Sequence, residues 1–427
     1  MYQFRFREPI KLNTSNPEPV YFSLDGRFIG SIFGNTTIEV RDCLSLQIVS
    51  RIECPDVIST FLWSPDSKLI AILMDNQKSI QVYFVENLRT DEDNLTIPYM
   101  GLSSGIINIE KMLWSPDSKS ILLCGVYASQ LFIFDIGSKS VHRLPSPKNS
   151  ETAFSFSPIG NMLAILVRSS NGHDEAVVFD LNTYRRKTTI NLNTLDAKTV
   201  YWTSDGLTLI VIDEISHHLL QIINMKTQRV VDYSAYDGYL GITNAIPCQN
   251  SKIIAVGGYD GYVRLLVSSD WKVLAEFLHE TNISGHSISV YVEDDSEMRF
   301  VEPPVQLEKN EFLSGITNLE WSNSNKFLAT TNAETPKAVF IWDIETISLV
   351  YVLVFKKDVE MIKWSTKEDI LAISTGSNFL ALWSQQGKVW LVRDNKVNEV
   401  NAIQWKQDGS ELLVIDNSSK NFVVMCK

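Results

Sequence analysis

Trp63-Ser64-Pro65-Asp66-Ser67 and Trp114-Ser115-Pro116-Asp117-Ser118 are one pentapeptide written twice, 51 residues apart. Looser copies start at Phe22, Phe156, Trp202, Ile246, Trp321, Trp364 and Trp405, so nine phrases are separated by 41, 51, 42, 46, 44, 75, 43 and 41 residues. A period in the low forties is the sequence mark of β-propeller blades, each a small sheet that stacks on its neighbours. Six of the ten tryptophans stand in this single register: Trp63, Trp114, Trp202, Trp321, Trp364 and Trp405. Catalysis or base stacking would not place the same residue at the same point of most repeats. Packing would.

One repeat shows why the segments form strands. Leu319-Glu320-Trp321-Ser322, Lys326-Phe327-Leu328-Ala329-Thr330-Thr331 and Ala338-Val339-Phe340-Ile341-Trp342-Asp343-Ile344 are short runs rich in β-branched and aromatic residues, bounded by Asn, Ser, Glu or Pro. The Ser-Pro-Asp-Ser stretch supplies a hairpin turn, because Pro presets φ at the first central position and Asp, Ser and Gly tolerate the backbone angles of the remaining positions. The aromatic residue before it ends the innermost strand and wedges between blades. The expected fold is all-β, a propeller of about nine four-stranded blades, with residues 1–427 as one domain. Nine phrases favour a single ring; a smaller ring with extra blades, or two short propellers, are the alternatives. Before Phe22 there is room for one strand, Tyr2 to Phe6, and the last repeat ends at Val424-Met425-Cys426-Lys427. A lone first strand can close such a ring by completing the last blade, which removes exposed sheet edges.

Composition narrows the function. A net charge of −12 argues against a general nucleic-acid binder, since phosphate contacts need clustered Lys and Arg. The short basic pieces Arg185-Arg186-Lys187 and Lys356-Lys357 read as strand ends or turns. Cys43, Cys54, Cys124, Cys248 and Cys426 are scattered, with no C-x-x-C pair, so neither a zinc site nor a disulfide framework is expected and a reducing compartment is the simpler reading. No apolar run approaches the roughly 20 residues that span a bilayer, and the first residues lack a signal-peptide pattern. A soluble intracellular protein is expected, so sequons such as Asn94-Leu95-Thr96 go unglycosylated.

Two intervals break the period. Residues 87–107 carry Asp91-Glu92-Asp93, and residues 278–315 hold an excess of roughly one strand pair with Glu293-Asp294-Asp295-Ser296-Glu297 and Pro303-Pro304. Insertions in repeat proteins emerge as loops, often on a binding face. Glu293, Asp294, Asp295 and Glu297 are the candidate partner-binding residues, an acidic segment for a basic partner; a tolerated, poorly ordered surface loop is the plainer reading. Gly101-Leu102-Ser103-Ser104-Gly105 matches G-x-S-x-G, but that pattern needs a strand-to-helix elbow, and no helical pattern comes after it. His217-His218 are adjacent, so on a strand they face opposite ways and cannot share a metal. The acidic run at 293–297 lacks the glycine and terminal glutamate of a calcium loop. No catalytic, cofactor-binding or metal-ligating residues, and no cofactor, are expected. Propeller-bearing peptidases use a separate catalytic domain, for which no segment remains, so the chain reads as no enzyme.

The endings Phe134-Asp135, Phe179-Asp180, Trp342-Asp343 and Trp383-Ser384 resemble the Trp-Asp close of WD40 repeats. The Gly-His dipeptide that usually precedes each repeat occurs only as Gly172-His173 and Gly285-His286, in no repeated register, so the polar network of that family reads as degenerate here. Tyr233-Ser234-Ala235-Tyr236, Leu240-Gly241-Ile242, Ile254-Ala255-Val256-Gly257-Gly258-Tyr259-Asp260-Gly261-Tyr262-Val263-Arg264 and Asp270-Trp271-Lys272-Val273-Leu274-Ala275-Glu276-Phe277 together resemble the WD-repeat-containing protein eight family of centrosomes and yeast spindle poles. The resemblance implies a non-catalytic scaffold in the cytoplasm and cytoskeleton, at the spindle pole body or another microtubule-organising centre. Its protein partners would be a coiled-coil microtubule-anchoring protein and a minus-end-directed kinesin of the fourteenth class, with no direct nucleic acid, membrane or small-molecule substrate. It carries over no binding residues. The Trp-Ser-Pro turn and the blade count also resemble eukaryotic initiation factor two-A, which would bind the ribosome or RNA. That family has a basic helical extension after its propeller, whereas this chain stops at its last strand and is acidic.

Overall fold

The computed structural model describes residues 4–12, 14, 20–74, 79–85, 95–98, 108–236, 240–285, 287–295, 297–393, 395 and 397–426. Asp91-Glu92-Asp93, the G-x-S-x-G stretch at 101–105, Asn94 and His286 lie outside them. Nine antiparallel sheets built on four strands succeed one another along the chain: blade 1 (20–53), blade 2 (58–98), blade 3 (109–144), blade 4 (154–191), blade 5 (199–233), blade 6 (242–278), blade 7 (316–354), blade 8 (361–393) and blade 9 (402–426). Blade 9 takes its fourth strand from the beginning of the chain, where Arg5–Phe6 pairs with Asn421–Cys426. Among the described residues the helical content is one 3-10 turn, Val126–Ala128. Two compact units emerge. Residues 12–214 with 219–233 hold blades 1–5, and residues 1–11, 215–218 and 234–427 hold blades 6–9.

First strands of successive blades touch in both units: Phe154–Phe156 touches Thr199–Trp202, Ile242–Pro247 touches Ile316–Trp321, and Met361–Trp364 touches both Ile316–Trp321 and Ala402–Trp405. The strand that carries the landmark aromatic is therefore innermost. The tryptophans do what their register implies, and more. Each indole N–H reaches back to a carbonyl on the preceding blade: Trp114 to Leu62 (3.2 Å), Trp202 to Ser155 (3.0 Å), Trp321 to Ile246 (2.9 Å), Trp364 to Glu320 (2.9 Å) and Trp405 to Lys363 (3.1 Å). Ring burial and one directional bond together set the spacing between sheets. Trp63 is the exception; its buried N–H has no partner, and its ring stacks on Phe28.

The pentapeptide is a closed turn. The Ser64 hydroxyl donates to Asp66 Oδ1 (2.6 Å) and accepts the Leu69 N–H (2.9 Å), and Ser115 repeats this with Asp117 and Ser120. The fifth position is left-handed in most blades, with φ of 62° at Ser67, 61° at Ser118, 60° at Asn325 and 68° at Gly409; in blade 8 it is Glu368, which is not left-handed. Neighbouring turns interlock: the Asp25 N–H donates to Ser67 Oγ and the Asp66 N–H to Ser118 Oγ. The Trp-Asp endings are turn caps too. Asp135 accepts from the Ser138 N–H, and Asp343 from the Glu345 and Thr346 N–H groups.

Blade 6 corrects the register. Its turn is closed by Cys248, whose N–H donates to the Ile253 carbonyl as that of Ser64 does to Leu69, so the landmark is Pro247 and the phrase starts there, not at Ile246. The Cys248 thiol stands in for the serine, donating to Asn250 Oδ1 (2.9 Å) and accepting the Ile253 N–H (3.2 Å).

Candidate partner-binding site

In an antiparallel meander, the pentapeptide turns lie at one end of each blade and the connectors between blades at the other. The insertion at 278–315 leaves from the connector end of blade 6, in the unit that holds blades 6–9. It is built of strands, against the expectation of a poorly ordered loop. Asn282–Ile283 pairs with Val305–Gln306 as a stem. Ser289–Glu293 then adds in parallel to Ser348–Val354, the outer strand of blade 7, and Met298–Val301 pairs antiparallel outside it. Blade 7 thereby becomes a six-stranded sheet.

Alternation explains why these residues join it. In Ser289-Val290-Tyr291-Val292, Val290 points into the core with Ile283, Leu307, Phe340 and Val352. Tyr291 turns the other way, donating its hydroxyl to the Gly387 carbonyl of blade 8 (2.8 Å) and packing against Phe300 and Tyr351. Met298 is buried with Phe355, Trp364 and Trp383.

The start of the insertion is fixed by polar groups. The carbonyl of Gly261 accepts only, so the buried His279 donates from Nδ1 (3.0 Å), and its Nε2 accepts the Thr330 hydroxyl (2.6 Å). Thr330 Oγ1 in turn accepts the Trp342 indole N–H (2.9 Å). Every donor and acceptor in this relay is used only while the imidazole is neutral, and burial pushes the His279 pKa down to about 4. Blade 7 thus holds a complete buried polar relay although the Gly-His dipeptide is absent there. A search for Gly-His misses it because Leu278 precedes the histidine.

The acidic residues form the hairpin turn between the two inserted strands, at the connector end. The Lys356 N–H donates to Glu293 Oε2 (2.9 Å) and its ammonium pairs with Asp295 (2.7 Å), which holds the Asp295 carboxyl below the usual range. Asp294 and Glu297 point to solvent. Lys356 is thus an internal partner of the acidic run as well as a strand end. His217 and His218 lie in a turn, not on a strand; buried His218 accepts the Ala235 N–H at Nδ1 and packs against Tyr236. Among the described residues no three His, Cys, Asp or Glu side chains gather in a metal-holding group. No helix there is long and apolar enough to cross a membrane.

Four-stranded sheets in this order, with inner-strand wedges and aromatic–Asp caps, are blades of the WD40-type β-propeller kind. Residues 362–424, in blades 8 and 9, match the family model of the anaphase-promoting complex subunit 4 WD40 domain. The whole chain is similar to WD repeat-containing protein WRAP73 of Mus musculus, 26% identical over 439 positions that cover 95% of this chain and 92% of that protein.

Proposed function

We propose that this chain is a non-catalytic WD40 scaffold that binds a coiled-coil anchoring protein and a class-fourteen, minus-end-directed kinesin, tethering microtubule minus ends at the spindle pole or centrosome. What carries the reading is the distinctive wording of residues 233–277, set in a chain similar to a WD repeat-containing protein almost end to end. In it, residues 1–427 act as one domain, proteins are the direct partners, and the work is done by the surface that breaks the repeat. A fluorescently tagged copy in dividing cells tests it. Discrete spots at the spindle poles are expected; diffuse signal that co-sediments with ribosomal subunits would replace this reading with the initiation-factor-like one.

A further inference from the structure

The last part of the insertion, residues 307–315, displays Phe312 at 96% exposure and Leu313 at 54%. A large aromatic ring in water is a cost unless something covers it. The loop beneath it is pinned. The Leu307 N–H donates to the Thr281 carbonyl and the Asn310 N–H to that of Glu334, while the Asn310 carboxamide accepts the Phe312 N–H. Lys309 pairs with Glu334 and Lys337 with Glu308. Phe312 is thus held out by a braced backbone.

One depression adjoins it, and a second lies beside the first. The larger, about 410 Å³, runs between Phe312, Glu311, Pro336 and Asp358. The smaller, about 190 Å³, is floored by Leu307, Ala338, Val354 and Phe355. They share the Glu308–Lys337 ion pair as a common rim. Thr335 lines the smaller one at 1% exposure, and its hydroxyl has no hydrogen-bond partner. A buried hydroxyl left unpaired is unfavourable, and a bound polar group would satisfy it. The charge is net acidic: Lys309 and Lys337 are each paired with a glutamate, and the larger depression also holds the carboxylates of Glu311 and of Asp358, the latter within electrostatic reach of Lys337. Lys356, which lines the smaller depression, is within electrostatic reach of Glu293, Asp294 and Asp295.

We infer that this surface of blade 7 is a docking site for a peptide segment of a partner protein, one that inserts an apolar side chain beside Phe312 and Leu313 and sets Lys or Arg against Glu311 and Asp358. The inference rests on the proposed scaffold role and gives that scaffold a place and a partner chemistry. The test uses purified full-length protein and a random twelve-residue peptide library displayed on phage. Selected peptides are expected to carry a Leu, Ile, Phe or Met within a few residues of Lys or Arg. A synthetic copy of the winning peptide should bind the Phe312→Ala, Leu313→Ala double variant about tenfold more weakly or worse. It should lose most of its salt dependence on the Glu311→Gln, Asp358→Asn variant. All four side chains are exposed, so both variants should melt with the parent. Acidic winners, no consensus, or equal binding to the Phe312 variant would overturn the docking site even if the tagged protein marks spindle poles. Missing spots with the peptide result intact would instead fault the spindle-pole role.

Discussion

Blades 7 and 8 carry a tryptophan at the same point of their third strand, and the two are held differently. Trp342 pairs across from Leu328 and Trp383 across from Leu371, so Thr330 and Ile373 are equivalent positions two residues on. In blade 7 the threonine joins Trp342 to His279. In blade 8 the isoleucine offers no acceptor, and the fully buried Trp383 N–H is unpaired while its ring lies edge-on to Phe327, Tyr351 and Trp364. One blade is fixed by a directional polar relay, the other by packing alone. The polar relay sits where the insertion departs, at the residue after the last strand of blade 6.

Thr330→Val should sharpen this contrast most. It leaves the His279 Nε2 and the Trp342 N–H buried without partners, and about 3 kcal/mol of stability should be lost, read from the denaturant midpoint. The conservative change in the other blade, Ile373→Val, should cost about 1 kcal/mol. Acid should act on the same relay. The His279 pKa is about 4 when folded against 6.5 for an ordinary histidine, so the unfolded protein binds the proton more readily. Its stabilisation is complete above pH 6.5, falls as the pH drops through that value and levels off below about 4, a loss on the order of 3 kcal/mol. His279→Gln should remove that part of the slope, and parallel curves for the two proteins would break the account. Next comes a matched pair: Trp342→Phe should cost about 1–2 kcal/mol more than Trp383→Phe, because only the first breaks a buried hydrogen bond. Smallest is Lys356→Ala, which removes an exposed ion pair with Asp295 and should leave the thermal midpoint unmoved. A clear drop would mean that the acidic turn braces the blade.

The propeller is legible in the sequence because its signal is repeated. One weak phrase such as Phe156-Ser157-Pro158-Ile159-Gly160 means little alone, yet the period rescues it, and the turn recurs even where the residue that closes it changes. Legibility fails where chemistry is kept and residue type is not. At blade 6 the cysteine does a serine's work after a proline, so the pattern of residue types puts the phrase one residue early, at Ile246. His279 is hidden by its leucine neighbour, although Thr330 and Trp342, well inside recognisable strands, are available signals. For the insertion, an excess of about one strand pair is readable. That Ser289–Glu293 adds in parallel to a strand 59 residues further on is not, because its partner strand, Ser348–Val354, lies in another repeat. The pocket beside Phe312 depends on Pro336 and Asp358, brought together only by the fold.

The segment that departs from the repeat is part of the folded sheet and presents a braced surface. Hydrogen–deuterium exchange on the intact protein tests this most directly, read at the amides of Val290, Tyr291 and Val292. Pairing with Val352, Leu353 and Val354 predicts protection about a hundredfold or more above the rate of an open chain, in step with blade 7 itself. Exchange at the open-chain rate, with blade 7 still protected, would show a loose loop and contradict the account.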